Sequence, residues 1–398
     1  MSWQTQKLEA VADFCLGKML DQKKNRGEPL PYLANVNVRW GEFDLADLRE
    51  MRFEQHELDR YGLKYGDIVM CEGGEPGRCA IWKEQCSSMM IQKALHRIRP
   101  HNCLRPEFLY YFFLYKGRTG HLASLFTGST IKHLPREKLA LVEVPVPPHS
   151  TQDHIASVLS AYDDLIENNR RRIQLLEQAA RLLYKEWFVH LRFPGHEHTQ
   201  IIDGVPEGWK KTTIGESASF LSRGITPKYD DDAPGIVINQ KCIRNRMVGL
   251  DFSRRQSKQV PPAKLVQFGD VLINSTGAGT LGRVAQLLFE IEECTVDSHV
   301  TIVRPKEDVP VYYFGLHLTG LESYVATLGR GATNQTELSK DDIAALEIVL
   351  PSSSSVQIFE SIVAPSFRKI RVLSEQIEKL IKARDLLLPK LMNGEVVV

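Results

Sequence analysis

The stretch "YDDLIENNRRRIQLLEQAARLLYKEWF", Tyr162 to Phe188, stands in the middle of a 398-residue chain. It holds no Gly, no Pro and no apolar block long enough to cross a bilayer. Extended to both sides, it places Ile155, Leu159, Tyr162, Ile166, Asn169, Ile173, Leu176, Ala180, Leu183 and Trp187 at alternating steps of four and three. That is the heptad rhythm of a helix–helix seam, narrower than the stripe of a helix lying on its own domain. A helix packed on its own domain is the alternative. The neighbouring Arg170, Arg171 and Arg172 fall between seam positions, as a solvated face or as a contact for a partner or a phosphate.

Working outward, the chain is written twice. "YGDIVM" at Tyr65–Met70 returns as "FGDVLI" at Phe268–Ile273, and "YYF" at Tyr110–Phe112 returns at Tyr312–Phe314. "GST" at Gly128–Thr130 returns as "GAT" at Gly331–Thr333, and "VPVP" at Val144–Pro147 returns as "IVLP" at Ile348–Pro351. Order is kept and the shift stays between 202 and 204 residues. The seam repeats as well: Phe359, Val363, Ser366, Ile370, Leu373, Ile377, Leu380, Arg384, Leu387 and Leu391 carry the same steps. Pro365 is expected to break this second helix into a short and a long piece.

Each half thus reads as a β-rich globular head, a Pro-bounded strand and a long helix, an α+β architecture. The first helix runs from head one to head two, and the second begins at head two. A parallel pairing would need a return of roughly 50 Å along the seam, against a head radius of gyration of about 15 Å. Antiparallel pairing needs no return and gives an approximate two-fold, with the helix as spacer.

Composition is that of an ordinary globular protein, with 43% hydrophobic and 25% charged residues and a formal charge of +1. This neither demands nor excludes nucleic acid. The N-terminus shows no signal-peptide pattern. Seven cysteines form no CxxC pair, so free thiols in a cytoplasmic protein are expected, not a zinc site.

Catalytic motifs are missing. "GAGTLG" at Gly277–Gly282 matches a dinucleotide fingerprint, but its repeat partner "GGEPGR" at Gly73–Arg78 contains Pro76, so both read as hairpin loops. There is no P-loop, and neither Pro-Pro pair fits an amino-methyltransferase motif. His154, His190 and the "GHEH" at Gly195–His198 lack a third ligand nearby.

Recognition surface remains. Lys23, Lys24 and Arg26 cluster in head one; Arg244, Arg246, Arg254, Arg255 and Lys258 cluster in head two. Thr130, Lys132 and His133 in one loop, and Thr333, Asn334 and Gln335 in its repeat, supply further donors and acceptors. Lys and Arg neutralise phosphate, while Asn, Gln and Arg read base edges. Singly, each is more often an ordinary polar loop residue.

Three long strings then carry a resemblance. "VPVPPHSTQDHIASVLSAYDDLIENNRRRIQLLEQAARLLYKEWFVHLRFPG", "VPEGWKKTTIGE" at Val205–Glu216 and "SEQIEKLIKARDLLLPKLMNGEV" resemble the specificity subunit of Type I restriction-modification enzymes. The resemblance covers essentially the whole chain. It implies two target-recognition domains in tandem, at 1–148 and 196–351. The conserved helical regions would be 149–195 and 352–398, forming an antiparallel coiled coil. Each domain would read half of an asymmetric bipartite site on double-stranded DNA. The helical regions would set the gap and dock two methyltransferase subunits, with Trp187 and Phe188 among the docking residues, and restriction subunits would join. The chain itself would be non-catalytic and hold no cofactor. S-adenosylmethionine, ATP and Mg2+ would bind the partners, and no membrane would be involved. Head one departs in lacking a "PEGW" opening; Trp3 and Leu8 are the nearest counterparts of Trp209 and Ile214. A self-sufficient DNA enzyme and an adaptor whose heads bind proteins are the competing readings.

Overall fold

A computed structural model of the chain describes residues 3–21, 25–331 and 336–396. The fold is α+β and divides into two compact units. Unit one joins residues 1–168 to residues 377–398, and unit two holds residues 169–376. The boundary therefore cuts both long helices, His149–Tyr184 and Ser353–Met392, so each unit owns a head and a length of each helix. A π-helical turn, Lys185–Val189, closes the first helix.

Both heads are built on one plan. In unit one, a four-stranded sheet runs Ala12–Leu16, Leu95–Pro100, Ile68–Cys71, Cys79–Ile81. In unit two the order is Ala218–Arg223, Val300–Pro305, Val271–Asn274, Val284–Gln286. A three-stranded sheet accompanies each: Arg49–Phe53, Glu28–Leu33, Met90–Ile91 in one, and Arg254–Gln256, Gly235–Ile238, Cys294–Val296 in the other. A small antiparallel pair closes each head, Thr5–Lys7 with Glu143–Pro145 and Lys210–Thr213 with Glu347–Leu350.

The repeated "YGD/FGD" string has a physical reason. Gly66 and Gly269 sit at φ +84° and +93°, a conformation that glycine adopts without penalty. The following aspartate folds back to accept the backbone N–H of Lys64 or Gln267. It then receives a two-pronged guanidinium. Arg99 donates to both oxygens of Asp67 at 2.7 Å, and Arg304 to both of Asp270 at 2.8 Å. Both aspartates are fully buried, so the pair locks the turn to the central strands of the main sheet. Burial alone would push the Asp270 carboxyl up, and Arg304 opposes that rise.

The "GGEPGR" and "GAGTLG" strings both join antiparallel neighbours, so they are hairpin loops as expected. Pro365 does not break its helix, which runs unbroken from Ser353 to Met392. A helix-interior proline costs about 3 kcal/mol. Here Pro365 and Ser361, whose carbonyl loses its helical donor, lie on the exposed side. Phe359, Val363, Ile370 and Leu373 are buried around it, and they outweigh that cost at roughly 1.5–3 kcal/mol each.

The helix seam is largely buried. Ile155, Leu159, Ile166, Asn169, Ile173 and Ala180 are buried on the first helix; Tyr162, Leu176 and Leu183 are partly so. On the second, Leu391 is buried, while Ile377, Leu380 and Leu387 are partly covered. The two helices touch within each unit. In unit one Leu388, Leu391 and Met392 share a core with Ile155 and Leu159, and Arg384 reaches Asp163 at 2.5 Å. In unit two Asn169 donates to Gln376 at 3.4 Å.

Candidate nucleic-acid interface

The five basic residues of head two separate by what their side chains touch. Arg246 occupies a tight turn at φ +62°, faces Glu322 at 3.9 Å and is half-buried. Arg255 donates to the Pro234 carbonyl at 2.7 Å, and Lys258 to the Thr226 carbonyl at 3.0 Å. These three are engaged in the fold.

Arg244 and Arg254 differ. The Arg254 guanidinium lies 3.6 Å from the centroid of Tyr229, and that of Arg244 lies 4.7 Å from the centroid of Phe252. Both rings are exposed, at 44% and 47%. Among the described residues, neither guanidinium has a hydrogen-bond or carboxylate partner. A flat cation resting on a ring loses little further freedom when its N–H edge meets an acceptor.

In head one, Arg26, Thr130 and Lys132 are exposed. Lys23, Lys24, Thr333, Asn334 and Gln335 lie outside the described residues. The loop with Thr130 and Lys132 is closed by mutual backbone bonds of Thr127 and His133 at 2.8 Å. His133 also bridges to Gly73 of the neighbouring hairpin, and its Nδ1 lies 3.2 Å from Glu72. In unit two the same knot is tied by Arg330 and Glu337, with Glu337 also bridging to Thr276. Glu337 faces Arg223 there. One position thus carries an imidazole in one head and a carboxylate in the other, facing Glu72 and Arg223 respectively.

Trp187 and Phe188 do not present a docking surface. Trp187 is buried, and Phe188 packs edge-on against Tyr313 and Phe359, with centroids at 4.7 and 4.8 Å. Trp209 of the "PEGW" string joins them, 5.6 Å from Phe188 and 4.8 Å from Phe193. Both lie in the π-helical turn and pack into the unit-two core, so docking through them, as expected from the sequence, is not what the structure favours. The exposed apolar residues on this helix are Leu165, Leu175, Leu182 and Val189. The last three stand seven apart and off the seam, so a seam count alone passes over them.

Among the described residues, no group of three or more His, Cys, Asp or Glu is placed to hold a metal ion. Likewise, no described helix is long and apolar enough to cross a membrane. All seven cysteines are free.

A sequence model of the Type I restriction modification DNA specificity domain matches residues 2–178. The first part of the chain is thus similar to a DNA-specificity domain. The specificity subunit of the Type I restriction enzyme MjaIX from Methanocaldococcus jannaschii is 25% identical, the match spanning 99% of this chain and 93% of that one. The HindI specificity subunit from Haemophilus influenzae is 23% identical, over 84% and 87%. In structure, the S subunit of a Type I restriction-modification system from M. genitalium matches with a TM-score of 0.58 at 17% identity, covering 98% of this chain and 96% of that one, which bears on the fold alone. Family model and curated relatives point the same way: the chain is similar, along nearly its whole length, to specificity subunits of Type I restriction enzymes.

Proposed function

We propose that each head reads one half of an asymmetric, two-part duplex target, and that the paired helices fix the gap between the halves. The target-recognition domains would be residues 1–148 and 196–351, with 149–195 and 352–398 as spacer and partner-docking regions. The observation that carries this reading is one frame used twice with different loops. Strand order and the Asp–Arg lock are the same in both heads, while His133 stands where the other head has Glu337. Phosphate contacts position a protein on DNA and base contacts specify the sequence. Different loops on equal frames therefore favour different half-sites.

The helices would pair antiparallel. Within unit one, Leu388 and Leu391, near the end of the second helix, lie with Ile155 and Leu159, near the start of the first. Arg384, earlier on the second, meets Asp163, later on the first. Rising numbers on one helix thus meet falling numbers on the other.

Two methyltransferase subunits would dock on the apolar residues left exposed by this pairing, Leu175, Leu182 and Val189 on the first helix and Ile358 and Ile362 on the second. Restriction subunits would complete the complex. S-adenosylmethionine, ATP and Mg2+ would serve those partners, and methylation and cleavage would be theirs. Methylome sequencing of host cells with and without the gene tests the reading. A two-part asymmetric motif should vanish with the gene, and exchange of residues 196–351 should change one half only. A continuous motif, or a change in both halves, would overturn it.

A further inference from the structure

Building on that reading, we infer that Arg244 and Arg254 are base-reading residues of the second head, each recognising a guanine edge in its half-site. Among the described residues their guanidinium groups make neither a hydrogen bond nor an ion pair, and both are exposed, whereas Arg246 is half-buried and faces a carboxylate. Arg255, Lys258 and Arg246 are committed to Pro234, Thr226 and Glu322. Arg254 and Arg244 instead lie over the rings of Tyr229 and Phe252.

The two pairs are close in the chain. Phe252 precedes Arg254 by two residues, and Tyr229 bridges to Gln256, two residues beyond Arg254. Arg254 lies on the edge strand of the three-stranded sheet, Arg254–Gln256, while Arg244 lies on the separate short strand Ile243–Arg244 and reaches Phe252 beside it, so the two pairs make one strip.

Charge around the strip decides between phosphate and base. Asp230, Asp231 and Asp232 follow Tyr229, and Asp251 precedes Phe252; all are exposed. These carboxylates oppose any general attraction for a phosphate backbone. A guanidinium held in a plane presents two parallel N–H donors, which match O6 and N7 of guanine in the major groove. A fixed fork beside acids suits an edge-specific contact better than a diffuse ionic one.

The test uses the complex of this chain with its methyltransferase subunits, on duplexes carrying the motif found by methylome sequencing. Duplexes with each base pair of the second half-site replaced in turn complete the set. Arg254→Ala and Arg244→Ala should each weaken binding about 10- to 100-fold on the native duplex. Each should also remove discrimination at one G·C pair and leave the first half-site unchanged. Arg254→Lys keeps the charge and loses the fork, so it should not restore discrimination. Tyr229→Ala and Phe252→Ala should weaken the same positions in part.

Arg255→Ala serves as the comparison and should leave base discrimination intact. Equal weakening on every duplex, with a salt slope flatter by about one and rescue by Lys, would make these phosphate contacts and overturn the inference. Unchanged binding would overturn it too. If the unaltered complex shows no half-site preference, the reading of the heads fails first, and that outcome is separate. Unaltered melting of each variant confirms an intact fold.

Discussion

Arg384 and Asp163 lie 2.5 Å apart in unit one, although 221 residues separate them in the chain. Their contact is the centre of a wider network. Tyr111 donates to the other oxygen of Asp163 at 2.8 Å, and Arg384 also reaches Asp385. Asp385 in turn receives Arg118 at 2.7 Å. The network ties the head-one helix Pro106–Arg118 to both long helices. Arg384 is the one charged residue among the seam positions of the second helix, and it is buried. Polar groups at such positions fix which helix faces which, and in what register.

Arg384→Ala should therefore destabilise unit one by about 3 kcal/mol, because it removes one partner of a largely buried ion pair. Denaturant titration of the protein, read by hydrogen exchange at residues of unit one, would check this. A change confined to unit two would contradict it.

The Asp–Arg locks should act separately. Asp67→Asn should cost unit one about 3 kcal/mol, and Asp270→Asn should cost unit two a similar amount, since each leaves a partly buried guanidinium without its carboxylate. Hydrogen exchange should show loss of protection in one unit only for each variant. Their effects should add in the double variant.

Acid should weaken unit one through His96. Its ring is fully buried and its Nε2 lies 2.8 Å from the Leu134 carbonyl. Burial holds its pKa below the ordinary 6.5. The unfolded chain then binds the proton more readily, so the contribution is intact above about 6.5 and is lost as pH falls below it, down to the folded value. His96→Gln should flatten the fall in stability between pH 7 and pH 5, measured as a melting temperature series. An equal slope in both proteins would refute this assignment.

Docking and folding should come apart on the first helix. Leu175→Lys with Leu182→Lys should release methyltransferase subunits on a sizing column while each head stays folded, because both residues are exposed. Trp187→Ala should instead destabilise unit two by about 3–5 kcal/mol, the usual cost of emptying an aromatic core site. Retained complex with the double lysine variant would place the partner elsewhere.

What was legible in the sequence followed from short strings with strict backbone demands. The "YGD" and "FGD" turns need their glycine and aspartate wherever the hairpin occurs, so they survive in both halves and reveal the repeat. The helix seam was legible because burial follows its spacing. The failures share one cause, since spacing does not show what a side chain meets across the fold. Pro365 reads as a break until its exposed side is seen. Arg246 reads as surface charge until its turn aims it at Glu322. Trp187 and Phe188 read as docking residues until their packing on Phe359 is seen. Leu388 and Met392, both buried, were outside the counted positions because the last turns pack on the head as well as along the seam.

Unit one is assembled from segments on either side of unit two, and that sets an order of events during synthesis. Its core includes Leu388, Leu391 and Met392, which are made after unit two. Until then the apolar seam around Ile155 and Leu159 has no cover from the second helix, while every residue of unit two has already been made. The half translated first is thus the half completed last. A chain that stops at Gln376 should keep its second half sound and leave its first half open to proteases.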